Sequence, residues 1–105
     1  MKGVVPIGVA KLLEKFNFRE ETLYVYSQNE ELHLSLEPIP KKISAPTIYE
    51  ATEFLWRRGL KIYYTPVPET NQCRGIIETK DKKIIVGMFK TPNEAILGCL
   101  VCLTS

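Results

Sequence analysis

Two stretches, Thr47-Ile48-Tyr49-Glu50-Ala51 and Thr91-Pro92-Asn93-Glu94-Ala95, decide the fold of this 105-residue chain. Each places Glu three residues after Thr, just ahead of an apolar run. That is a capping box: the Thr hydroxyl accepts from the backbone N–H three residues on, and the Glu carboxylate reaches back to the Thr N–H. Two helix starts follow. Between them the hydrophobic period falls to two, so residues 47–105 read as helix, strands, helix.

The first of these helices is expected from Thr47 to about Arg58. Ile48, Ala51 and Leu55 turn inward with Phe54 alongside, and Gly59 supplies the stop. From Leu60 to Pro66, Leu60, Ile62 and Tyr64 alternate with Lys61, Tyr63 and Thr65, and Pro66 and Pro68 are expected to close that strand. A loop through Asn71 and Cys73 leads to a strand at Gly75–Thr79, a turn at Lys80-Asp81 and a strand at Lys82–Phe89. The last helix, Thr91 to about Leu103, is apolar almost all round, which implies deep burial or a partner.

The N-terminal part predicts a helix over residues 6–16. Pro6 suits its first position, Val9, Ala10, Leu13 and Phe16 share a face, and Asn17 provides a left-handed stop with Phe18 folding back. Residues 22–37 predict a hairpin around a polar turn at Ser27–Glu31. Leu23, Val25, Leu32, Leu34 and Leu36 are assigned to its inner face, and Tyr24, Tyr26, His33 and Ser35 to its outer one. Pro38, Pro40 and Pro46 then mark residues 38–46 as an extended linker. The expected architecture is α+β, in the order α-β-β-α-β-β-β-α, with an antiparallel sheet and helices packed mainly on one face. A single domain is expected over 1–105: a helix–hairpin extension (1–37), the linker, and a helix–three strands–helix unit (47–105).

Apolar content of 45% with 25% charged residues is that of a globular domain. Net charge is only +2, but it is unevenly spread. Residues 1–40 carry four Lys/Arg against six acids, and residues 41–105 carry ten against six. A split of this kind can steer a partner. No stretch approaches a membrane span, and no secretory signal is recognisable. Three cysteines, Cys73, Cys99 and Cys102, fit a reducing compartment. The cytoplasm is the expected location.

The chemistry-bearing motifs are few. Cys99-x-x-Cys102 lies in the last turns of a helix, where the dipole opposes a thiolate, so both cysteines are expected to pack as small hydrophobes. A zinc site would need a second ligand pair, which neither Cys73 nor the single histidine, His33, supplies. His33 and Ser35 lack an orienting acid and a nucleophile elbow. Glu14, Glu20, Glu21, Glu30 and Glu31 do not follow the alternation of a calcium loop. No glycine-rich phosphate loop is present. No catalytic residue, metal, cofactor or small-molecule substrate is therefore expected.

A basic–aromatic cluster stands apart: Trp56, Arg57, Arg58, Lys61, Tyr63 and Tyr64, with Lys41 and Lys42 upstream. Such mixtures stack bases and neutralise phosphates. The order helix–three strands–helix is also that of a double-stranded-RNA-binding domain. That domain has a Lys-rich start to its last helix, where this chain has Thr91-Pro92-Asn93-Glu94 preceded by Lys90 alone. The competing interpretation is a half-buried Trp with Arg stems over it.

Several phrases occur together in order: Ile7-Gly8-Val9-Ala10-Lys11-Leu12-Leu13-Glu14-Lys15-Phe16-Asn17-Phe18, Ile43-Ser44-Ala45-Pro46-Thr47, Leu55-Trp56-Arg57-Arg58-Gly59, and Phe89-Lys90-Thr91-Pro92-Asn93-Glu94-Ala95. In these the chain resembles small phage- and prophage-encoded proteins of gut bacteria. The resemblance implies the fold and a phage context, and it carries no site residues. The expected function is that of a non-enzymatic accessory protein that binds another protein or itself. Tyr24, Tyr26, Trp56, Arg57, Arg58, Lys61 and Tyr63 form the candidate surface, because interfaces enrich Tyr, Trp and Arg. The alternative is a nucleic-acid-binding accessory protein using residues 56–64. Neither reading calls for a membrane.

Overall fold

The computed structural model describes residues 3–104. They form two compact units, one running to Ala51 and the other starting at Thr52. In chain order the elements are α1 (Ile7–Lys15), β1 (Tyr24–Tyr26), β2 (Leu32–Leu34), β3 (Ile43–Ala45), α2 (Ile48–Arg57), β4 (Lys61–Val67), β5 (Gln72–Glu78), β6 (Lys83–Phe89) and α3 (Pro92–Cys102). The expected α+β class holds, with two antiparallel three-stranded sheets, ordered β2-β1-β3 and β4-β5-β6.

In the first unit, α1 starts one residue later than Pro6, which serves as its N-cap without a side-chain bond. The helix ends as its sequence demands. Asn17 takes φ of 67°, the Asn17 N–H donates to the Glu14 carbonyl and the Phe18 N–H to the Leu13 carbonyl, both at 3.0 Å. This is a Schellman stop, and it turns Phe18 back into the buried interior. Two expectations are corrected. The segment assigned to an extended linker contains β3, which pairs with β1 from Tyr24↔Ala45 to Tyr26↔Ile43. Its position at the sheet edge accommodates the flanking prolines. The hairpin faces also differ from the expected ones.

Turn length causes that second difference. The five-residue connection 27–31 places Tyr26 opposite Leu32 and Tyr24 opposite Leu34. Residues directly opposite share a face, so both leucines lie with the tyrosines instead of with Val25. A one-residue change of register moves every side chain to the other face. Tyr26 is consequently buried and its hydroxyl donates to the Val5 carbonyl at 2.7 Å. Leu23, Leu34 and Leu36 are exposed (65%, 47% and 93%) instead of forming an inner row.

Helix α2 begins as a full capping box. The Thr47 N–H donates to Glu50 Oε1 at 2.8 Å, and the Glu50 N–H to Thr47 Oγ1 at 3.1 Å. It ends in a second Schellman stop at Gly59, with φ of 86° and the Leu60 N–H donating to the Leu55 carbonyl at 3.0 Å. At Thr91 only half of the box forms. The Glu94 N–H donates to Thr91 Oγ1 at 3.1 Å, but Glu94 Oε1 accepts from the Thr91 hydroxyl, not from its N–H.

In the second unit β5 is central. Its register sets Ile62, Tyr64 and Pro66 of β4 beside Ile77, Gly75 and Cys73. Pro66 thus lies within β4 instead of ending it, which an edge strand tolerates. This face carries α3. A Cβ on Gly75 would stand 2.8 Å from the Ala95 carbonyl oxygen and 2.9 Å from Cys99 Sγ, and one on Gly98 would stand 2.4 Å from the Phe89 ring. Two glycines therefore let helix and sheet approach to backbone contact, which buries Ala95, Cys99 and Leu100 completely. On the opposite face lie Lys61, Tyr63 and Thr65, with Glu78, Ile76 and Arg74 and then Lys83, Ile85 and Met88.

Gly75→Ala forces helix and strand backbones apart and is expected to lower the unfolding free energy by about 1–3 kcal/mol in a denaturant titration. Gly87→Ala adds a carbon that meets only the Phe89 ring, at an ordinary 3.7 Å. It is expected to change stability by less than about 0.5 kcal/mol.

Candidate functional site

Local chain geometry divides the basic–aromatic residues into two pairs. At the end of α2, Arg58 falls one helical turn after Phe54, and its guanidinium carbon lies 4.4 Å from that ring's centroid. Lys61, the first residue of β4, comes back past the Gly59 turn and holds its Nζ 5.4 Å from the Trp56 centroid. Trp56 stays half exposed and Arg57 is exposed. Arg58 and Lys61, two of the three cations in this cluster, thus have an aromatic neighbour within their own chain.

Tyr63 belongs to a third arrangement. Across the strands, Lys61, Glu78 and Lys83 occupy one row. The Tyr63 hydroxyl donates to Glu78 Oε1 at 2.6 Å, and Lys83 Nζ stands 4.0 Å from that oxygen. The hydrogen bond to Tyr63 holds the Glu78 carboxyl below its ordinary range, aided by Lys83 and Lys61. The same bond, with burial and the nearby charge, raises the phenol. A carboxylate therefore sits among the very lysines that a polyanion would need.

Tyr24 and Tyr26 do not join these residues on one surface of a unit. Both lie on β1 in the first unit, where Tyr26 is buried and Tyr24 partly so. The cysteines separate as well. Cys73 and Cys99 are buried, Cys102 is exposed, and burial pushes the Cys99 thiol up to about 11. Among the described residues no three His, Cys, Asp or Glu side chains converge as a metal site. No described helix is long and apolar enough to cross a membrane. The first unit has a shallow cavity of about 240 Å³ lined by Ala10, Phe18 and Ile43 with the exposed charges of Glu14, Arg19 and Lys42. Lys42 Nζ is engaged at the Ser35 carbonyl (2.9 Å) and Arg19 at Asn17 Oδ1 (3.4 Å).

The outer edge of β6 is the feature that motif reading missed. Among the described residues the strand pairs with β5 alone, and it exposes Ile84 (48%), Ile85 (57%) and Met88 (45%). A bulge opposite Gly75/Ile76 leaves Val86 without a partner, which sends Ile85 and Met88 to the same face. The other edge, β4, is blunted by Pro66 and by Lys61 at its start. β6 has no proline, so its apolar edge is an open template for another strand. The alternation-breaking run Ile84-Ile85-Val86 was the available signal.

Tyr63→Phe removes the donor to Glu78. The Glu78 carboxyl is then expected to titrate at higher pH than in the parent, measured by NMR. Because its folded value is depressed, the stability it contributes is present above the unfolded value and is lost as pH falls through the folded one. That acid-side loss should shrink in the variant. An unchanged Glu78 titration would remove this bond from the account.

The chain matches no protein family, no curated protein and no solved structure.

Proposed function

We propose that the protein is a non-enzymatic, phage-derived accessory protein of the cytoplasm that acts by binding protein, either another chain or itself. The observation that carries this reading is the β6 edge: a seven-residue strand with one side unpaired among the described residues and three exposed apolar residues. Strand addition supplies main-chain hydrogen bonds for affinity and side-chain pockets for specificity. The half-exposed Trp56 and the partly exposed Tyr63 add the residue types that interfaces favour. The self-contained cation–aromatic pairs and the carboxylate of Glu78 favour protein over nucleic acid as the partner.

Affinity capture from host extract with the parent chain and with Ile85→Lys tests this reading. A protein, or a second copy, is expected on the parent bait and not on the variant, with recovery indifferent to nuclease. Recovery that nuclease abolishes would replace it with the nucleic-acid reading. Equal recovery on both baits would remove β6 from the interface.

A further inference from the structure

The β6 edge is flanked by cations at both ends. Residues 74–90 carry five Lys/Arg against two acids, and Lys82, Lys83 and Lys90 are exposed on either side of the apolar run. The first unit carries the opposite design. Among the described residues its edge strand β2 pairs only with β1, and it lies within Glu30-Glu31-Leu32-His33-Leu34-Ser35-Leu36-Glu37. Glu30, Glu31, Leu34, Leu36 and Glu37 of that stretch are exposed. One edge is thus apolar with basic ends, the other apolar with acidic ends. Among the described residues the two belong to separate sheets.

We infer that β2 of one copy pairs edge to edge with β6 of a second copy. This rests on the reading of β6 as a protein-docking edge and names its occupant. Pairing of like edges is opposed by charge: antiparallel β6–β6 contact brings Lys82 and Lys83 over Lys90, and β2–β2 contact brings Glu30 and Glu31 over Glu37. Like charges facing across strands destabilise, and opposite ones stabilise. Unlike edges meet opposite charge at both ends in either strand direction. Length fits as well. Glu37 lies seven residues after Glu30 and Lys90 seven after Lys83, so a register that sets one acidic end opposite one basic end sets the other pair opposite too, in a ladder that spans the bulge at Val86. The Leu34 N–H, which donates to Glu37 Oε2 at 3.0 Å, exchanges that acceptor for a strand carbonyl, and Glu37, 3.6 Å from His33 Nδ1, and Glu30, 3.3 Å from Lys11 Nζ, exchange exposed partners within the unit for lysines of the other copy. Each copy offers both edges, so the contact is heterologous, and it closes into a ring or extends head to tail according to the rotation it imposes.

Charge reversal with complementation is the test, read by light scattering across a wide concentration range. The parent is expected to self-associate, less so with added salt. Glu30→Lys with Glu31→Lys and Glu37→Lys makes both edges basic, and Lys82→Glu with Lys83→Glu and Lys90→Glu makes both acidic. Each triple variant alone is expected to be monomeric, and their equimolar mixture to associate as the parent does, with circular dichroism confirming that each is folded. Leu34→Lys and Ile85→Lys, which keep every flanking charge at exposed positions, are each expected to weaken association at least tenfold. A parent that stays monomeric throughout overturns the inference, as does a folded triple variant that associates alone or a mixture that fails to. A monomeric parent whose β6 still captures a different protein leaves the proposed function standing. A monomeric parent with no Ile85-dependent capture removes both.

Discussion

The contact on which the second unit depends is the approach of α3 to β5 at Gly75. No side chain separates the strand from the Ala95 carbonyl and the Cys99 sulfur, so the helix sits low on the sheet. Phe89 is held in the same place, its ring against Gly98 on one side and near Gly75 and Gly87 on others. With the ring pinned there, β6 is anchored at its C-terminal end while its Ile84, Ile85 and Met88 side chains stay exposed. Burial of Cys99, Ala95 and Leu100 follows from the same closeness. The raised Cys99 thiol is a consequence of that packing and not the mark of a redox pair.

The same constraint explains where the surface is left unfinished. One helix on one face of three strands covers β5 and leaves two edges. β4 carries Pro66 and begins with a lysine that lies over Trp56. β6 has lysines at its ends and none in its middle. Its bulge twists the edge without covering it, and apolar side chains remain there. In the first unit β2 is short, apolar and framed by glutamates. An uneven charge distribution that looks minor in a net value of +2 becomes specific once the cations and acids are seen to frame two different strand edges.

Local signals were legible in the sequence, and non-local ones were not. The caps at Thr47 and Thr91 and the stops at Asn17 and Gly59 involve residues within a few positions of one another, and each formed where the pattern placed it. The hairpin faces depended on whether the 27–31 connection counted as odd or even, a choice that composition does not reveal and that inverted the roles of Leu34 and Tyr26. β3 is three residues long between prolines, too short for alternation to register. Trp56 and Lys61 stand five positions apart across the Gly59 turn, and their mutual contact left fewer available cations than the cluster suggested. The exposure of Ile84, Ile85 and Met88 required knowing which strand ends the sheet, and only the topology supplies that.

The proposed docking of the outer edges of β6 and β2 between copies is, in the end, a matter of their backbone amides. Amide hydrogen exchange followed at low and at high protein concentration addresses it residue by residue. Outward-facing amides of both strands are predicted to exchange quickly in dilute solution and to gain protection together as concentration rises, while β5 amides stay protected throughout. Exchange at β6 and β2 that does not change with concentration would contradict it.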